Sequence, residues 1–527
     1  MEHRAASTWT ALWETLLLTV ALLVFSLISA PIPAVNEPHY LTKARHYWQR
    51  DWCAGDAFLE SSDVHAVFYA LIGPMTTVLT LEQTAWLGRG LALTIIAIGW
   101  TQLGRALQFP RGVSLLAAAV FLLFQSIGNW SGEWFVGGVE GKVFTYGFLI
   151  WAAAAYVRGK LVLAGALQGL AIAFHPVVGI WGLLAAGAAQ LTLWWRNRQV
   201  PGSMANIQAS RWIVACCVMV TLALPGLIPV FELLRAPVDR DTKFAATYIQ
   251  VFHRLAHHLD PMRFPLRAHV GFAALAVVWL TATRRFREAG AESDVSAPST
   301  LGSQPSNFLH AVVAWSLIFA VGGLLIAAGP RPPEQMPGLA FRMPLMKVYP
   351  FRLVDVLLPS AIAWMAAEFY WRRVTCGSLR RVSVVLLWSI ACGLAWCGAS
   401  TARARLDARP DWVDVCRWFR SQTPPDVLVQ TPNGRYTFKW YAERPEYVSF
   451  KDCPQDDAGI VEWNRRLLFL KKWYQQQFAD GLYSSAELLQ LARDTGITHI
   501  VTDRLGPMEP APTYQNATYR VYDLRAL

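Results

Sequence analysis

The sequence predicts a mainly α-helical, polytopic membrane bundle of about eleven spans, followed by a soluble C-terminal α/β domain. Three observations carry this. Hydrophobic residues make up 54% and charged residues only 16% of 527 positions, with a mean hydropathy of +0.30, outside the ordinary soluble range. Apolar runs approaching the roughly 20 residues that cross a bilayer as helix recur from residue 9 to residue 396. Beyond them, short apolar segments alternate with amphipathic ones, the pattern of a layered fold with a small sheet. The expected organisation is a membrane domain over 1–398 and a tail domain over 399–527.

The first run, 9–30, is longer than the roughly 7–15 residues of a signal-peptide core, and Pro31 and Pro33 follow it, so an anchored first helix is expected. Orientation follows from the basic loops, which concentrate on the cytoplasmic side. Arg105 with Arg111, Arg158 with Lys160, Arg196 with Arg198 and Arg211, Arg284, Arg285 and Arg287, and Arg372, Arg373, Arg380 and Arg381 form five clusters. All fall on one side if the spans are 9–30, 85–107, 113–127, 143–157, 161–174, 177–195, 212–231, 268–283, 308–328, 349–371 and 382–396. Counting the apolar stretch 64–81 as a further span would place those clusters outside, so it is expected to lie at the membrane edge. The first loop, 31–83, and the tail are then extracytoplasmic, and 284–307 is cytoplasmic, with a Ser-, Ala-, Gly- and Pro-rich stretch over 288–306. A bacterial inner membrane protein with a periplasmic tail is the expected localisation.

In the tail, helices are expected over 412–420, 460–478 and 486–494, and strands over 427–431, 447–450, 499–502 and 520–524. A net charge of +11 fits cytoplasmic collars and anionic headgroups rather than nucleic acid, and no zinc-finger spacing, P-loop or dinucleotide fingerprint occurs. Of eight cysteines, Cys53, Cys416 and Cys453 fall on the oxidising side; they form either a Cys416 to Cys453 disulfide or three free thiols.

Ionisable groups gather in the outer loops, whereas the mid-bilayer positions are nearly free of charge. A transporter needs polar groups near the midplane, so the pattern favours an enzyme working at the membrane edge. The distinctive motif is Asn36-Glu37-Pro38-His39-Tyr40 after the first span, where a carboxylate beside aromatic rings suits a general base.

These residues resemble the acidic motif that opens the first lumenal loop of protein O-mannosyltransferases, members of the glycosyltransferase C superfamily. The stretch from Asp63 and His65 to Tyr69 resembles the histidine-containing segment later in that loop, and Arg89 resembles the arginine that opens the second helix. The family's first acid is Asn36 here, so the carry-over rests on Glu37. The tail resembles the ends of uncharacterised bacterial polytopic membrane proteins, through Phe450-Lys451-Asp452-Cys453-Pro454 and Glu462-Trp463-Asn464-Arg465-Arg466. The superfamily resemblance implies transfer of a sugar from a polyprenyl-phosphate carrier, with the catalytic acid in the first loop.

On this reading Glu37, Asp56 and His65 are candidate catalytic groups. Glu37 has the alternative of capping the helix that Pro38 opens; Asp56, one turn from Glu60, has that of a solvated face, and His65 that of an interfacial residue. Arg352, Lys347, Arg342 and Lys142 are candidate ligands of the donor phosphate, with snorkelling to headgroups as the alternative. Glu140, His175 and Asp355 complete the set, Asp355 as a partner for Arg352. His253, His257, His258 and Asp260 have helical metal-ligand spacing, which leaves a divalent metal open; an amphipathic surface helix is the other reading. No other cofactor is expected. The partners are a lipid-linked sugar and membrane lipids, the acceptor is open, and a cleft between the first outer loop and the loop before Tyr349 would hold the reaction. A lipid or polymer transporter, or a scaffold with a partner-binding tail, is the alternative function.

Overall fold

The computed structural model describes residues 2–34, 36–197, 209–292, 304–403 and 410–527. Val35 of the first-loop motif, Arg198 and most of the low-complexity loop lie outside the described residues.

The first half of the chain forms α1 (Glu2–Ser29), α2 (Glu37–Trp48), α3 (Ala66–Val78), α4 (Leu81–Ala106), α5 (Val113–Gly128), α6 (Gly141–Val157), α7 (Leu161–Phe174), α8 (Pro176–Asn197) and α9 (Ala209–Arg235). Then come α10 (Arg240–Tyr248), α11 (Ala256–Leu259), α12 (Leu266–Glu292), α13 (Gln304–Ala327), α14 (Leu339–Lys347), α15 (Arg352–Arg373) and α16 (Gly377–Arg403). The tail holds α17 (Pro410–Gln422), β1 (Val429–Gln430), α18 (Phe438–Ala442), α19 (Asp457–Gln477), α20 (Ser485–Thr495), β2 (His499–Thr502), β3 (Tyr514–Gln515) and β4 (Arg520–Asp523). The architecture is that of a multi-pass helical membrane protein with a small C-terminal α/β module, as expected.

Contacts divide the chain into two compact units. A bundle unit comprises Met1–Ser29, Arg89–Ile228 and Gln250–Trp396; a tail unit comprises Ala30–Gly88, Pro229–Ile249 and Cys397–Leu527. The first loop therefore folds with the C-terminal module.

In the bundle unit, all eleven expected spans coincide with helices. Among the described residues, seven helices are long and apolar enough to cross a membrane: α1, α8, α9, α12, α13, α15 and α16. Their burial distinguishes one of them. The apolar window of α15 is 67% buried, against 6–28% for the other six, so α15 is packed over most of its surface while the others turn apolar side chains outward. Leu379, Val382, Val385, Leu386 and Leu394 of α16 are exposed in this way, which suits contact with lipid. Arg105, Arg196, Arg372 and Arg373 occupy the last turns of α4, α8 and α15, and Arg158 caps α6. This basic collar marks the end opposite to the N-termini of α6, α8 and α15.

In the tail unit, α3 has 13 residues. That is about 20 Å of helix. The sheet order is β1-β2-β4-β3, with β1 parallel to β2 and the other pairs antiparallel. Period-two alternation divides the strand residues between two cores. Val501 and Val521 join Trp412, Val415, Phe419 and Phe438 of α17 and α18, whereas Ile500 and Tyr522 join Ile460, Trp463, Leu488 and Leu491 of α19 and α20.

Two expectations fail here. Residues 447–450 do not form a strand. Val429 meets this segment in a single bridge at Glu446, after which Arg466 and Trp463 take the carbonyls of Tyr447 and Ser449 that a ladder would need. Cys416 and Cys453 are not bonded to each other and lie in different apolar clusters, so the thiol alternative is the correct one.

Candidate functional site

The bundle unit and the tail unit each contain a buried cluster of ionisable side chains. In the bundle unit the cluster lies at the end opposite to the basic collar, where α5 ends, α6 begins, α7 passes into α8, and α15 begins. Tyr349 takes a left-handed φ of 56° and Pro350 follows, so the chain turns before α15 opens at Arg352. The Arg352 guanidinium stacks 3.9 Å over the Tyr349 ring. Its Nε lies 3.1 Å from Glu133 Oε2, and its Nη1 lies 3.1 Å from His175 Nε2. Lys142, in the first turn of α6, stands 3.1 Å from Glu140 and 3.5 Å from Glu133, with its ammonium 4.2 Å from the centre of the Trp134 ring.

Asp355 does not pair with Arg352. Its carboxylate, one turn further into α15, accepts the N–H groups of Trp130 at 2.9 Å, Ser131 at 2.7 Å and Glu133 at 3.4 Å, and the Ser131 hydroxyl at 2.7 Å. A helical side chain thus fixes the loop that presents Glu133 to Arg352. The Ser131 carbonyl accepts from His258 Nδ1. Burial pushes His258 down to about 2, with His257 and other cations adding to the effect, so the ring that braces this loop is neutral.

Two sequence candidates go elsewhere. Arg342 donates to the carbonyls of Leu325, Ile326 and Ala328 at the C-terminal end of α13, so its guanidinium caps that helix rather than joining the cluster. Lys347 closes α14 and is half-buried. The four-residue metal set does not assemble either. A π-helical stretch, Ile249–Arg254, interrupts the spacing before α11, and Asp260 is bound by Arg331 through both oxygens. Among the described residues no group of three or more His, Cys, Asp or Glu is placed to hold a metal ion. Glu133 is the residue that the sequence argument passed over. It was one of several carboxylates in an outer loop, and nothing local marks it as the partner of Arg352.

Inside the bundle unit lies an apolar cavity of about 370 Å³, lined by Trp100, Leu103, Tyr156, Trp364 and others, which comes nearest the cluster at Tyr146 and Leu353. Leu353 follows Arg352 in sequence, and the Tyr146 hydroxyl donates to the Arg352 carbonyl at 3.3 Å. The apolar cavity thus ends one residue from Arg352 in sequence, an arrangement that suits an amphiphile with an anionic head.

In the tail unit, Glu37 is the first residue of α2 and fully buried, and its carboxylate accepts the Ala34 N–H at 2.7 Å. Asn36 accepts from Lys451 at 2.6 Å. Asp56 is also buried. One of its oxygens accepts the N–H groups of Phe58 and Leu59, and the other accepts Glu446 N–H and faces Lys439 at 3.1 Å. His65 precedes α3 and packs against the Tyr40 and Tyr69 rings.

Lys439 of α18 is the hub of this second cluster, 2.7 Å from Asp452, 3.1 Å from Asp56 and 3.1 Å from Glu446; His39 of α2 adds a 2.9 Å contact to Asp452. The first loop and the C-terminal module are joined through this ammonium. Burial disfavours its charge, but Asp452, Asp56 and Glu446 together hold Lys439 above the lysine norm. Burial likewise opposes ionisation of Asp452, yet Lys439 and His39 hold its carboxyl well below the usual carboxylate range. Glu446 goes the other way, pushed by burial up to about 7 despite Lys439. An adjacent cavity of about 280 Å³ is lined by Asp56, Glu60, Lys439, Asp452 and Trp463 among others.

The opposed shifts predict a pH dependence. Glu446 binds its proton more tightly when folded, so its contribution to stability is present below the ordinary value of 4.5 and is lost as pH rises through about 7. Asp452 contributes above 3.8 and loses its contribution as pH falls. Hydrogen-exchange protection of residues 438–453 in the full-length protein, corrected for intrinsic rates, should decline from mildly acidic to alkaline pH. Glu446→Gln should flatten that decline.

Residues 410–469 match a family model described as a domain of unknown function (DUF6798). This region contains Lys439, Glu446 and Asp452. No curated protein matches the chain. Among solved structures, the chain is similar to the crystal structure of ArnT from Cupriavidus metallidurans bound to undecaprenyl phosphate, with 12% identity, a TM-score of 0.44, and 98% of each chain covered.

Proposed function

We propose that the protein is a membrane glycosyltransferase of the C superfamily type, which moves a sugar from a polyprenyl-phosphate donor to an extracytoplasmic acceptor. The observation that carries this reading is the meeting of Arg352 and Lys142 around Glu133 at one end of the bundle, with an apolar cavity that approaches that end at Tyr146 and Leu353. The cavity takes the first part of a prenyl chain, and the two cations take the phosphate. Basic residues collect at the opposite end of the bundle, which by the charge rule puts the reacting end, and with it the donor headgroup, on the periplasmic side of a bacterial inner membrane.

In the reaction, the acceptor oxygen or nitrogen forms a bond to the anomeric carbon as the bond from that carbon to the phosphate oxygen breaks, with inversion. A carboxylate base takes the acceptor's proton, the role that the first-loop resemblance implies for Glu37. The phosphate leaves with one more negative charge than it held as a diester, and Arg352 and Lys142 stabilise that growing charge, where electrostatic catalysis has most effect. His175 orients Arg352, while Glu140 orients Lys142.

Glu37→Gln preserves shape and removes the base. Sugar transfer from a lipid-linked donor by the full-length protein in nanodiscs should fall about 10²- to 10⁴-fold, with binding of polyprenyl phosphate retained. Undiminished transfer by a folded Glu37→Gln protein would remove the base assignment. Lipid-phosphate binding without any sugar transfer, across a panel of lipid-linked sugars, would favour a transporter of the same lipid.

A further inference from the structure

Glu133 occupies a position for which the proposed reaction has no direct use. Its side chain is buried, 3.1 Å from Arg352 and 3.5 Å from Lys142, the two cations assigned above to the donor phosphate. Lys142 is also shared with Glu140 at 3.1 Å. The formal charges of Arg352, Lys142, Glu133 and Glu140 cancel. A phosphodiester entering this site brings a further negative charge, and it reaches Arg352 only by competing with the Glu133 carboxylate.

The backbone around Glu133 is fixed. Its N–H is held by Asp355, its carbonyl accepts from Asn129 Nδ2 at 2.9 Å, and the preceding Gly132 sits at a left-handed φ of 78° with the His258 ring against it. A side chain added at Gly132 would meet that ring within 3 Å, so only glycine fits this turn. The carboxylate can leave Arg352 by rotating about its own side-chain bonds while the loop stays in place. Glu140 differs in being the N-cap of α6, committed to the head of a helix.

We propose, building on the donor reading above, that Glu133 is a specificity-determining residue. It stands in for the phosphate on Arg352 and Lys142, and so makes binding of a phosphate conditional on an attached apolar chain. Inorganic phosphate or a water-soluble sugar phosphate offers only its head and does not displace a carboxylate already ion-paired with a guanidinium. A prenyl phosphate adds the burial of its chain in the cavity beside Tyr146 and Leu353, and that burial, growing with each buried methylene, offsets the cost of displacing Glu133. This end of the bundle can thus keep two largely buried cations without being filled by soluble anions.

The test measures competition by inorganic phosphate against a fluorescent polyprenyl phosphate, using full-length protein in nanodiscs of zwitterionic lipid. Wild-type protein should bind the polyprenyl phosphate and be little affected by inorganic phosphate. In Glu133→Gln and Glu133→Ala, inorganic phosphate should compete at concentrations about 10- to 100-fold lower. If inorganic phosphate competes no better in either variant than in wild type while wild type binds the polyprenyl phosphate, the inference is overturned and the donor reading stands. If wild-type protein does not bind the polyprenyl phosphate, or if Arg352→Ala binds it as well as wild type, the donor reading itself fails. Loss of polyprenyl phosphate binding in both Glu133 variants, with helical content unchanged, also counts against the inference, because it would make Glu133 a support for Arg352 rather than its competitor.

Discussion

Lys439→Met is expected to open the tail unit, exposing the first outer loop and the C-terminal module together. The ammonium is buried and lies within 3.1 Å of three carboxylates, from Asp56, Glu446 and Asp452. Methionine matches its length but leaves these acids facing one another without a counter-charge. Removing one member of a buried ion pair costs about 3–5 kcal/mol, a large share of the roughly 5–15 kcal/mol that holds a typical domain folded. Because Asp56 and His39 come from the first loop and Glu446 and Asp452 from the module, the loss should appear on both sides. Hydrogen exchange in the full-length variant should show lowered protection over 37–60 and 438–453, with the bundle helices unchanged. Lys439→Arg keeps the charge and should lose less. Wild-type protection of 37–60 in Lys439→Met would show that the network does not hold the loop.

Arg352→Ala is expected to give the largest loss of ligand binding. The guanidinium is the cation that α15, the most buried of the seven long apolar helices, brings to the head of the bundle, and it lies next to the cavity-lining Leu353 in sequence. A charge-assisted hydrogen bond to phosphate contributes about 1.5–3 kcal/mol, so affinity for a polyprenyl phosphate should fall about 10- to 100-fold. Lys supplies a point charge without the fork, so Arg352→Lys should recover only part of the loss. The same titration with a polyprenol lacking the phosphate should be insensitive to either change. Equal losses for phosphate and alcohol would point to disturbed packing rather than to a phosphate contact.

The two clusters differ in how far the sequence anticipated them. Arg352 and Lys142 were singled out as cations beside helix starts, and Glu140 and His175 as polar residues at the same face, and these four do meet around Glu133. Arg342 carries the same chemistry ten residues before Arg352, yet caps α13, because the carbonyls at a helix end are as good an acceptor for a guanidinium as a phosphate is. Asp355 stands one turn from Arg352, where an ion pair is expected, but the backbone N–H groups of Trp130, Ser131 and Glu133 reach it instead. Lys439 and Glu446 drew no notice at all. A lysine among aromatic residues in a polar tail is unremarkable until the fold surrounds it with acids.

The sequence by itself determined the helices, the membrane character and the end of the bundle at which polar groups collect. Each of these depends on the transfer of a contiguous run of side chains between water and lipid, or on charge counted along a short loop, and both are local sums. Only the tertiary structure decided that the first loop folds with the C-terminal module, that Cys416 and Cys453 lie in separate cores, and that Glu133 stands on Arg352. Those outcomes turn on which distant loops are buried together, and burial is what converts a carboxylate and a cation from two solvated groups into obligatory partners.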